Sequence, residues 1–336
     1  MSVTYHDAIH AQPENLRGSR AAVQDELSRL DLARWRGGTI GLIGMGASHN
    51  ALIGALPGLR ARGTSAHVFS ASEFCDEKLE RYVDGLIAVS QSGRSTETLA
   101  ALEAGAGLPR LALTGDASAA IARRSEAHVS LALMEDSPIY TLGFTGTLQA
   151  LGLLTAALTD DGLGSSWSQI PDAVERVLTD AAGFARRAAA ALAEVSAVDV
   201  VSGGAHLAAA GETVLLLREA CRLPAAVYET RQYLHGPMEP LQPGMALIAV
   251  GDKREVDLAI QAAGIGATAL LLTTLDVAPR PGLHVYRLPA LTGLELATLE
   301  IVPAQLLVGA LATARGLSIT GFRYEQRDTK VQELTR

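Results

Sequence analysis

The most informative segment of this sequence is Leu86-Ile87-Ala88-Val89-Ser90-Gln91-Ser92-Gly93-Arg94-Ser95. Four apolar, strand-favouring residues run into a polar turn, and a helical pattern of Thr98, Leu99 and Leu102 follows. A buried parallel strand that ends in hydroxyl groups and free amides at a helix N-terminus can hold an anion. Its serines and glutamine can donate hydrogen bonds to a phosphate group without adding charge. A serine-rich turn taken alone is more often a simple helix cap, so its surroundings decide.

An internal repeat surrounds this turn. Leu-Ile-Ala-Val occurs at 86–89 and again at 247–250, and a strand ending in glycines precedes each copy, Ile40–Gly46 or Val200–Gly204. The other predicted strands are Ala66–Phe69, Leu111–Thr114, Ala225–Tyr228 and Leu270–Thr273. Short apolar runs that alternate with helical segments indicate βαβ units. We therefore predict an α/β fold: two doubly wound parallel-sheet domains of about five strands, each a three-layer αβα sandwich, related by internal duplication.

The predicted organisation follows the chain in linear order. Its parts are an N-terminal helical segment (1–36), a first domain (37–160), a linker and helix (161–196), a second domain (197–325) and a C-terminal tail (326–336). The polar segment Asp160–Ser168 marks the boundary, and Pro171–Ala193 has the apolar stripe of a long helix. By default, the polar tail Tyr324–Arg336 would be a frayed terminus.

Composition and charge exclude several classes of partner. The net charge is −8 and no basic cluster is present, which argues against nucleic acid. Met1–Ala11 lacks a signal-peptide pattern, and no apolar run approaches the ~20 residues that cross a bilayer. Cys75 and Cys221 are the only cysteines, which fits a reducing compartment. We expect a cytoplasmic protein that binds neither nucleic acid nor membrane.

The two halves differ after the repeated strand. The second copy has Gly251-Asp252-Lys253-Arg254 in place of the serine-rich turn. An aspartate there would repel a phosphate group, so we expect only the first domain to hold one.

Two residues of the second half are candidates for catalysis. His235 precedes Gly236-Pro237, and a rigid irregular turn can present a reactive side chain, although a surface histidine is an equal alternative. Glu219 lies near the end of an apolar helix predicted at 207–220, on one face with Glu212. A carboxylate at that place either pairs with an arginine or serves acid–base chemistry. The residues alone favour the pairing.

The ordered set of motifs resembles the tandem sugar isomerase (SIS) domain family, which includes the isomerase half of glucosamine-6-phosphate synthase and related deglycases and deaminases. The matching motifs are the Gln12-Pro13 opening, Gly44-Met45-Gly46-Ala47-Ser48, Ser90 to Ser95, Glu219, His235-Gly236-Pro237 and a lysine in the tail, Lys330. The resemblance covers nearly the whole chain.

The resemblance implies a role for each matched position. The phosphate of a hexose phosphate would be bound by Ser48, Ser90, Gln91, Ser92 and Ser95. Glu219 would move the proton between C1 and C2, and His235 would assist ring opening from the other subunit of a homodimer whose active site lies at the interface. Lys330 would close over the open-chain sugar, and Thr141 is a candidate sugar contact. No cofactor is implied, and the remaining histidines lack companions at metal-ligand spacing.

Departures from the family pattern leave the exact reaction open. Leu216 and Thr141-Leu142-Gly143 stand where the synthase has a lysine and Ser-Thr-Lys, and Glu239 resembles a feature of deglycase-like relatives. Without a glutaminase domain or a cysteine at position 2, we expect no glutaminase activity. The leading hypothesis is an aldose–ketose or amino-sugar-phosphate isomerase or deaminase. The alternatives are a fructosamine-6-phosphate deglycase and a sugar-phosphate sensor without turnover.

Overall fold

The computed structural model describes residues 3–159, 165–324 and 326–331, which form two compact units. The N-terminal unit comprises Glu14–Met134, Gly143–Ser168 and Tyr324–Arg336, as far as these residues are described. Within the same limits, the C-terminal unit comprises Met1–Pro13, Glu135–Leu142 and Gln169–Arg323. These units are discontinuous, whereas the predicted parts followed the chain in linear order. Residues 160–164 of the predicted boundary and 332–336 of the predicted tail lie outside the described residues.

The described helices and strands alternate along most of the chain. The α-helices are α1 (Tyr5–Arg29), α2 (Gly46–Ala61), α3 (Ala71–Asp76), α4 (Thr96–Ala104), α5 (Ala120–Arg123), α6 (Leu142–Leu158), α7 (Ile170–Leu192), α8 (Leu207–Glu219), α9 (Thr230–Tyr233), α10 (Arg254–Ile265) and α11 (Gly293–Ala314). The strands are β1 (Thr39–Gly44), β2 (Ser65–Ser70), β3 (Gly85–Ser90), β4 (Arg110–Thr114), β5 (Ala127–Ser130), β6 (Val198–Ser202), β7 (Ala225–Glu229), β8 (Ala246–Val250), β9 (Thr268–Thr273) and β10 (Leu283–Arg287).

The N-terminal unit contains a parallel sheet in the order β2-β1-β3-β4-β5. All six residues of β3 are buried, as expected for a central strand covered on both faces. Trp35 packs beside this strand, where its indole N–H donates to the Leu86 carbonyl at 3.0 Å. The predicted strand Ile40–Gly46 ends earlier, at Gly44, because Gly46 already adopts a left-handed φ of +53° at the start of α2.

The C-terminal unit contains a second parallel sheet, in the order β10-β9-β8-β6-β7. The predicted strand Val200–Gly204 begins two residues earlier and ends at Ser202, and Gly204 is left-handed with φ +62°. Tyr233 is fully buried under the sheet edge, where its hydroxyl donates to Asp199 Oδ2 at 2.8 Å. Together the two sheets confirm an α/β fold with two parallel five-stranded sheets.

Two long helices pack together in the C-terminal unit. α7 begins next to Pro171, a residue that favours the first helical turn, and it buries Val174, Val177 and Leu178 of the predicted apolar stripe. α11 packs against α7 and α8. Among the described residues, α11 alone is long and apolar enough to span a membrane, and 78% of its most apolar stretch is buried inside the protein. The sequence expectation that no such run exists was wrong. Glu295 and Glu300 interrupt the apolar residues of α11, but the helix as a whole is apolar on average.

Candidate active site

Ser48 lies where the first strand of the N-terminal sheet gives way to a helix. Its backbone N–H donates to the Met45 carbonyl at 3.1 Å, in the first turn of α2. A Cβ atom added at Gly44 would lie 3.2 Å from Ser48 Cβ and 3.2 Å from the Val89 carbonyl oxygen. The missing side chain of Gly44 therefore lets Ser48 approach the end of β3, where the serine-rich turn begins.

The turn after β3 is held by backbone hydrogen bonds on both sides. Gly93 N–H donates to the Ser90 carbonyl at 2.9 Å, and Gly115 N–H donates to the Gln91 carbonyl at 2.8 Å. Gly93 has φ +64°, and a Cβ atom there would lie only 2.4 Å from Ala119 Cβ. Only glycine fits this position without displacing its neighbours. The loop is thus fixed before any ligand arrives.

Ser95 caps the helix that follows the turn. Its Oγ accepts from Thr98 N at 3.4 Å and from Thr98 Oγ1 at 3.0 Å, and it donates to Glu97 Oε2 at 3.2 Å. Thr98 is completely buried, and the sequence analysis missed its role. The signal that could have revealed it is the spacing of three residues between the capping serine and a second hydroxyl. Because the Ser95 hydroxyl is engaged in capping, a ligand would have to compete for it.

Two hydroxyl groups at the ends of β1 and β3 remain available to a ligand. Within the described part of the chain, neither Ser48 Oγ nor Ser90 Oγ has a hydrogen-bond partner, and Ser90 is only 5% exposed. Ser92 Oγ accepts a long bond of 3.4 Å from Arg94 N. Arg94 in turn lies 3.7 Å from Asp116. The arrangement offers hydroxyl donors at the carboxyl ends of adjacent central strands, which is the usual place for ligands in open α/β sheets.

The C-terminal tail pairs with the serine-rich turn. Residue Lys330 forms an antiparallel bridge with Ser95, where Thr96 N–H donates to the Thr329 carbonyl at 3.2 Å and Val331 N–H to the Arg94 carbonyl at 2.8 Å. These bonds lie within the N-terminal unit. The described part of the tail is therefore held to the turn by an isolated β-bridge and is not a frayed end. It brings the backbone of Lys330 to the turn that the resemblance assigns to the phosphate.

Glu219 is the last residue of α8, in the C-terminal unit. It is mostly buried, and burial raises the pKa of its carboxyl group from 4.5 to about 7. Within the described residues its carboxylate has no hydrogen bond and no ion pair, so the pairing with an arginine that the residues alone favoured is absent there. Tyr5, whose pKa is raised well above 10 mainly by burial, also senses the charge of Glu219. A carboxyl group with this pKa can accept and release a proton near neutrality.

His235 lies in the turn that follows α9. Its backbone N–H donates to the Gln232 carbonyl at 3.0 Å, and Met238 N–H closes the turn on the Tyr233 carbonyl at 3.1 Å. The side chain of His235 is exposed and makes no hydrogen bond to a described residue. Glu239 is exposed in the same turn. The turn is therefore anchored by buried Tyr233 while His235 stays open to solvent.

Thr141 has no exposed surface, and its hydroxyl donates to Asp136 Oδ1 at 3.0 Å. The Thr141 carbonyl accepts from Gln305 Nε2 at 3.1 Å. This environment describes a structural anchor, because direct contact with a sugar would require the hydroxyl to leave Asp136. The sequence analysis did not single out Asp136, which no motif marks.

Comparison with known proteins adds independent information. No family model matches the chain. The chain is 25% identical over 323 residues to the glutamine–fructose-6-phosphate aminotransferase (isomerizing) of Sulfolobus acidocaldarius, covering 92% of this chain and 53% of that protein. The enzyme of the same name from Aeropyrum pernix is 29% identical over 306 residues, with coverage of 83% and 49%. The chain spans about half the length of the curated relatives it matches.

Solved structures share the fold. A putative phosphosugar isomerase from Clostridium difficile 630 superimposes with a TM-score of 0.80 at 18% identity, covering 96% of both chains. Tagatose-6-phosphate ketose/aldose isomerase from Escherichia coli gives 0.77 at 17% identity and covers 94% of both chains. Glucosamine-6-phosphate deaminase from Thermotoga maritima gives 0.73 at 17% identity, covering 94% of this chain and 98% of that one. At these identities the likeness establishes the architecture.

Proposed function

We propose that this chain, which is 25% and 29% identical to two enzymes named glutamine–fructose-6-phosphate aminotransferase (isomerizing), is related to the isomerase (SIS) domains of glucosamine-6-phosphate synthase and is an enzyme of phosphosugar metabolism. Its reaction moves a proton between C1 and C2 of a hexose 6-phosphate, as an aldose–ketose isomerase or an amino-sugar-phosphate isomerase or deaminase. The names of the structures that share its fold support this class.

The observation that carries the proposal is the state of Glu219. A base that removes a proton next to a carbonyl group works best when its pKa lies near the working pH. Burial gives Glu219 a pKa of about 7, and no described partner holds its carboxylate. A structural carboxylate at a helix end would instead be paired or fully solvated.

The remaining residues take complementary roles in the proposed reaction. The hydroxyls of Ser48, Ser90 and Ser92, with Gln91, bind the phosphate group, whose binding energy orients the remote C1 and C2 atoms. His235 transfers a proton during ring opening because an imidazole both donates and accepts near neutral pH. Glu219 then takes the proton from one carbon and returns it to the other.

Further parts of the proposal concern the tail and the assembly. Lys330, next to Ser95, covers the open-chain sugar. Its ammonium group adds a cation to a site that is otherwise made of hydroxyl donors. The exposed His235 enters the active site of a second copy in a homodimer, which accounts for a reactive group left open to solvent. The identical strand order of the two sheets and the sequence repeat support an origin by tandem duplication. Thr141 remains a candidate sugar contact, a role that would require its hydroxyl to leave Asp136.

A fructosamine-6-phosphate deglycase is the second candidate. Glu239 favours it, because this carboxylate is exposed in the same turn as His235. Such an enzyme would use Glu219 and His235 in the same way but release an amine from C1. Both candidates require proton transfer at C2, so one experiment can address them together.

The test measures hydrogen exchange at carbon in heavy water. The protein is incubated with fructose 6-phosphate, glucosamine 6-phosphate and a fructosamine 6-phosphate, and sugar mass and released amine are quantified. We expect a gain of one mass unit, and Glu219→Gln should reduce it at least about 100-fold. The matched control is Glu194→Gln, which changes an exposed carboxylate and should leave the rate unchanged.

The outcomes separate the candidates. Ketose or aldose formation identifies an isomerase, and ammonia release identifies a deaminase. Release of the amine from a fructosamine 6-phosphate identifies a deglycase. Tight binding without exchange or turnover would support the sensor and refute the proposal. Equal rates for the wild type and Glu219→Gln would refute the assignment of the base.

A further inference from the structure

The C-terminal unit contains a cavity at the carboxyl ends of its parallel strands. The serine-rich turn lies at the corresponding edge of the N-terminal sheet. The volume of the cavity is about 400 Å³. It is lined by the segments that follow β6, β7 and β8 and by the start of α11, residues 203–206, 229–231, 252–255, 291–293 and 296. β7 lies on one side of β6, and β8 and β9 follow on the other side. The strand order therefore reverses direction between β6 and β8. Ligands of doubly wound sheets bind at such switch points.

The turn after β6 repeats the geometry of the turn after β1. Gly46-Ala47-Ser48 follows β1, and Gly204-Ala205-His206 follows β6, with the glycine at φ +53° in the first case and +62° in the second. His206 therefore occupies the position that Ser48 occupies in the first sheet. The change from a hydroxyl to an imidazole replaces one hydrogen-bond donor by another that can carry positive charge.

His206 is held by a buried carboxylate. Its Nδ1 lies 2.7 Å from Oε1 of Glu300, a residue only 1% exposed. Burial alone would lower the pKa of His206, but the hydrogen bond and charge of Glu300 outweigh it and raise that pKa. Asp252 and Glu255 act on it in the same direction. The bond to Nδ1 leaves Nε2 as the ring nitrogen that can bind a ligand.

The cavity contains cations that lack partners. Lys253 and Arg231 both line it and are exposed, and neither side chain makes a hydrogen bond or ion pair within the described ranges. α10 begins directly after Lys253 and α11 begins at Gly293, so two helix N-termini also face this region. Unpaired cations and helix N-termini together favour a ligand that supplies negatively charged oxygens.

The carboxylates of the cavity are largely engaged with the protein. Asp252 accepts hydrogen bonds from Thr273 Oγ1, Thr274 N and Thr274 Oγ1. Glu255 accepts from Thr230 Oγ1 and Lys253 N. Glu229 accepts from Arg231 N and Gln232 N. Asp252, which the sequence analysis expected to repel a phosphate, is tied back to the strand end of β9. Burial opposes its ionisation, but the hydrogen bonds from Thr273 and Thr274 hold the pKa of Asp252 below its usual value, so its negative charge remains and the cations of the cavity must outweigh it. Oε1 of Glu229 accepts none of these bonds and lies 3.8 Å from the place of a Cβ on Gly203. It remains able to accept a hydroxyl group.

We propose that this cavity is a second binding site for a sugar phosphate, in which Lys253, Arg231 and His206 contact the phosphate and Glu229 accepts a sugar hydroxyl. The site is not catalytic, because its lining contains no counterpart of the unpartnered Glu219. It rests on the proposed function only for the choice of a hexose phosphate as the ligand. When substrate or product binds at such a site, it changes the activity of the enzyme without contacting the reacting carbons.

The lysines of the chain provide a direct test, because Lys78, Lys253 and Lys330 are the only ones in the sequence. All three are exposed. The protein is labelled with an amine-reactive acetylating reagent with and without fructose 6-phosphate, and each lysine is quantified by peptide mass spectrometry. We expect the ligand to slow labelling of Lys253 about tenfold, consistent with a hydrogen bond to a charged group. Lys78, remote from both turns in sequence, is the matched control and should be unaffected.

Variants separate this site from the proposed active site. In Ser90→Ala/Ser92→Ala, protection of Lys253 should persist while protection of Lys330 is lost. Isothermal titration with this variant should show one remaining site, weakened about tenfold by Lys253→Ala. Inorganic phosphate should protect Lys253 more weakly than fructose 6-phosphate, and fructose should not protect it.

The possible results have distinct meanings. Protection of Lys330 without protection of Lys253 overturns the second site and leaves the proposed function standing. Protection of Lys253 alone supports the second site and contradicts the phosphate-binding role of the serine-rich turn. Equal protection of Lys253 by fructose and fructose 6-phosphate also overturns the inference, because the argument depends on the phosphate group.

Discussion

Replacement of Glu219 by glutamine should stabilise the protein, and it should do so only when the pH is high enough to ionise the carboxyl group. The pKa of Glu219 is raised from 4.5 to about 7 because burial disfavours its charged form. Between these values the folded state binds more protons than the unfolded state, so the free energy of unfolding falls as the pH rises. Below pH 4.5 both states are protonated, and the residue has no effect on stability.

The size of the effect follows from the shift. A difference of about 2.5 pKa units corresponds to about 3 kcal/mol of lost stability once both states are ionised, near pH 8. At pH 5 the same linkage gives only about 1 kcal/mol. Glutamine is neutral at every pH, so the variant lacks this loss. The stability gained by Glu219→Gln should therefore increase by about 2 kcal/mol between pH 5 and pH 8.

Hydrogen exchange of the backbone amides of α8 provides the assay. Amides that exchange through unfolding report its free energy, and comparing wild type and variant at one pH cancels the intrinsic chemistry of exchange. Exchange in Glu219→Gln should be slower by about 100-fold at pH 8 and by less than about tenfold at pH 5. Glu194→Gln, at an exposed position, should show no such trend. A difference between wild type and Glu219→Gln that stays constant with pH would refute the raised pKa and, with it, the argument for a base.

Three further outcomes are expected. Gly93→Ala should weaken binding of fructose 6-phosphate at least about tenfold and lower the melting temperature, since its Cβ would meet that of Ala119 at 2.4 Å; unchanged calorimetric affinity would contradict a preformed loop. Deletion of residues 329–336 should reduce turnover and raise the exchange rate of amides in the serine-rich turn, because two backbone hydrogen bonds are lost; full activity would exclude a role for the tail. A mixture of Glu219→Gln and His235→Ala should regain activity that neither variant has alone, and failure to do so after verified subunit exchange would contradict an active site shared between copies.

The sheets were predictable because their local signals agree with one another. Central strands such as β3 and β8 are continuous apolar runs, which buried parallel strands require. The ends of the strands were harder to predict, because β6 ends before a left-handed glycine and not where the apolar pattern stops. The linear domain boundaries differ from the observed units for another reason. Segments such as Glu135–Leu142 join a unit through contacts with residues distant in sequence, which composition does not encode.

The candidate site was predictable only in part. The serine-rich turn follows directly from the sequence, whereas the pairing of Lys330 with Ser95 depends on a contact between residues far apart in the chain. Glu219 illustrates the same limit, because its position on a helix is evident but the absence of a described partner is not. The cavity beside His206 was missed because the sequence does not show that His206, Arg231 and Lys253 line one space.

The position of Trp35 has a practical consequence. The chain has only two tryptophans, Trp35 and Trp167, and both are buried in the N-terminal unit. The Trp35 indole is bonded to Leu86 in the strand that leads into the serine-rich turn. Intrinsic fluorescence therefore offers a label-free optical reporter within the N-terminal unit, and an emission change on adding a sugar phosphate would report on the strand that leads into that turn.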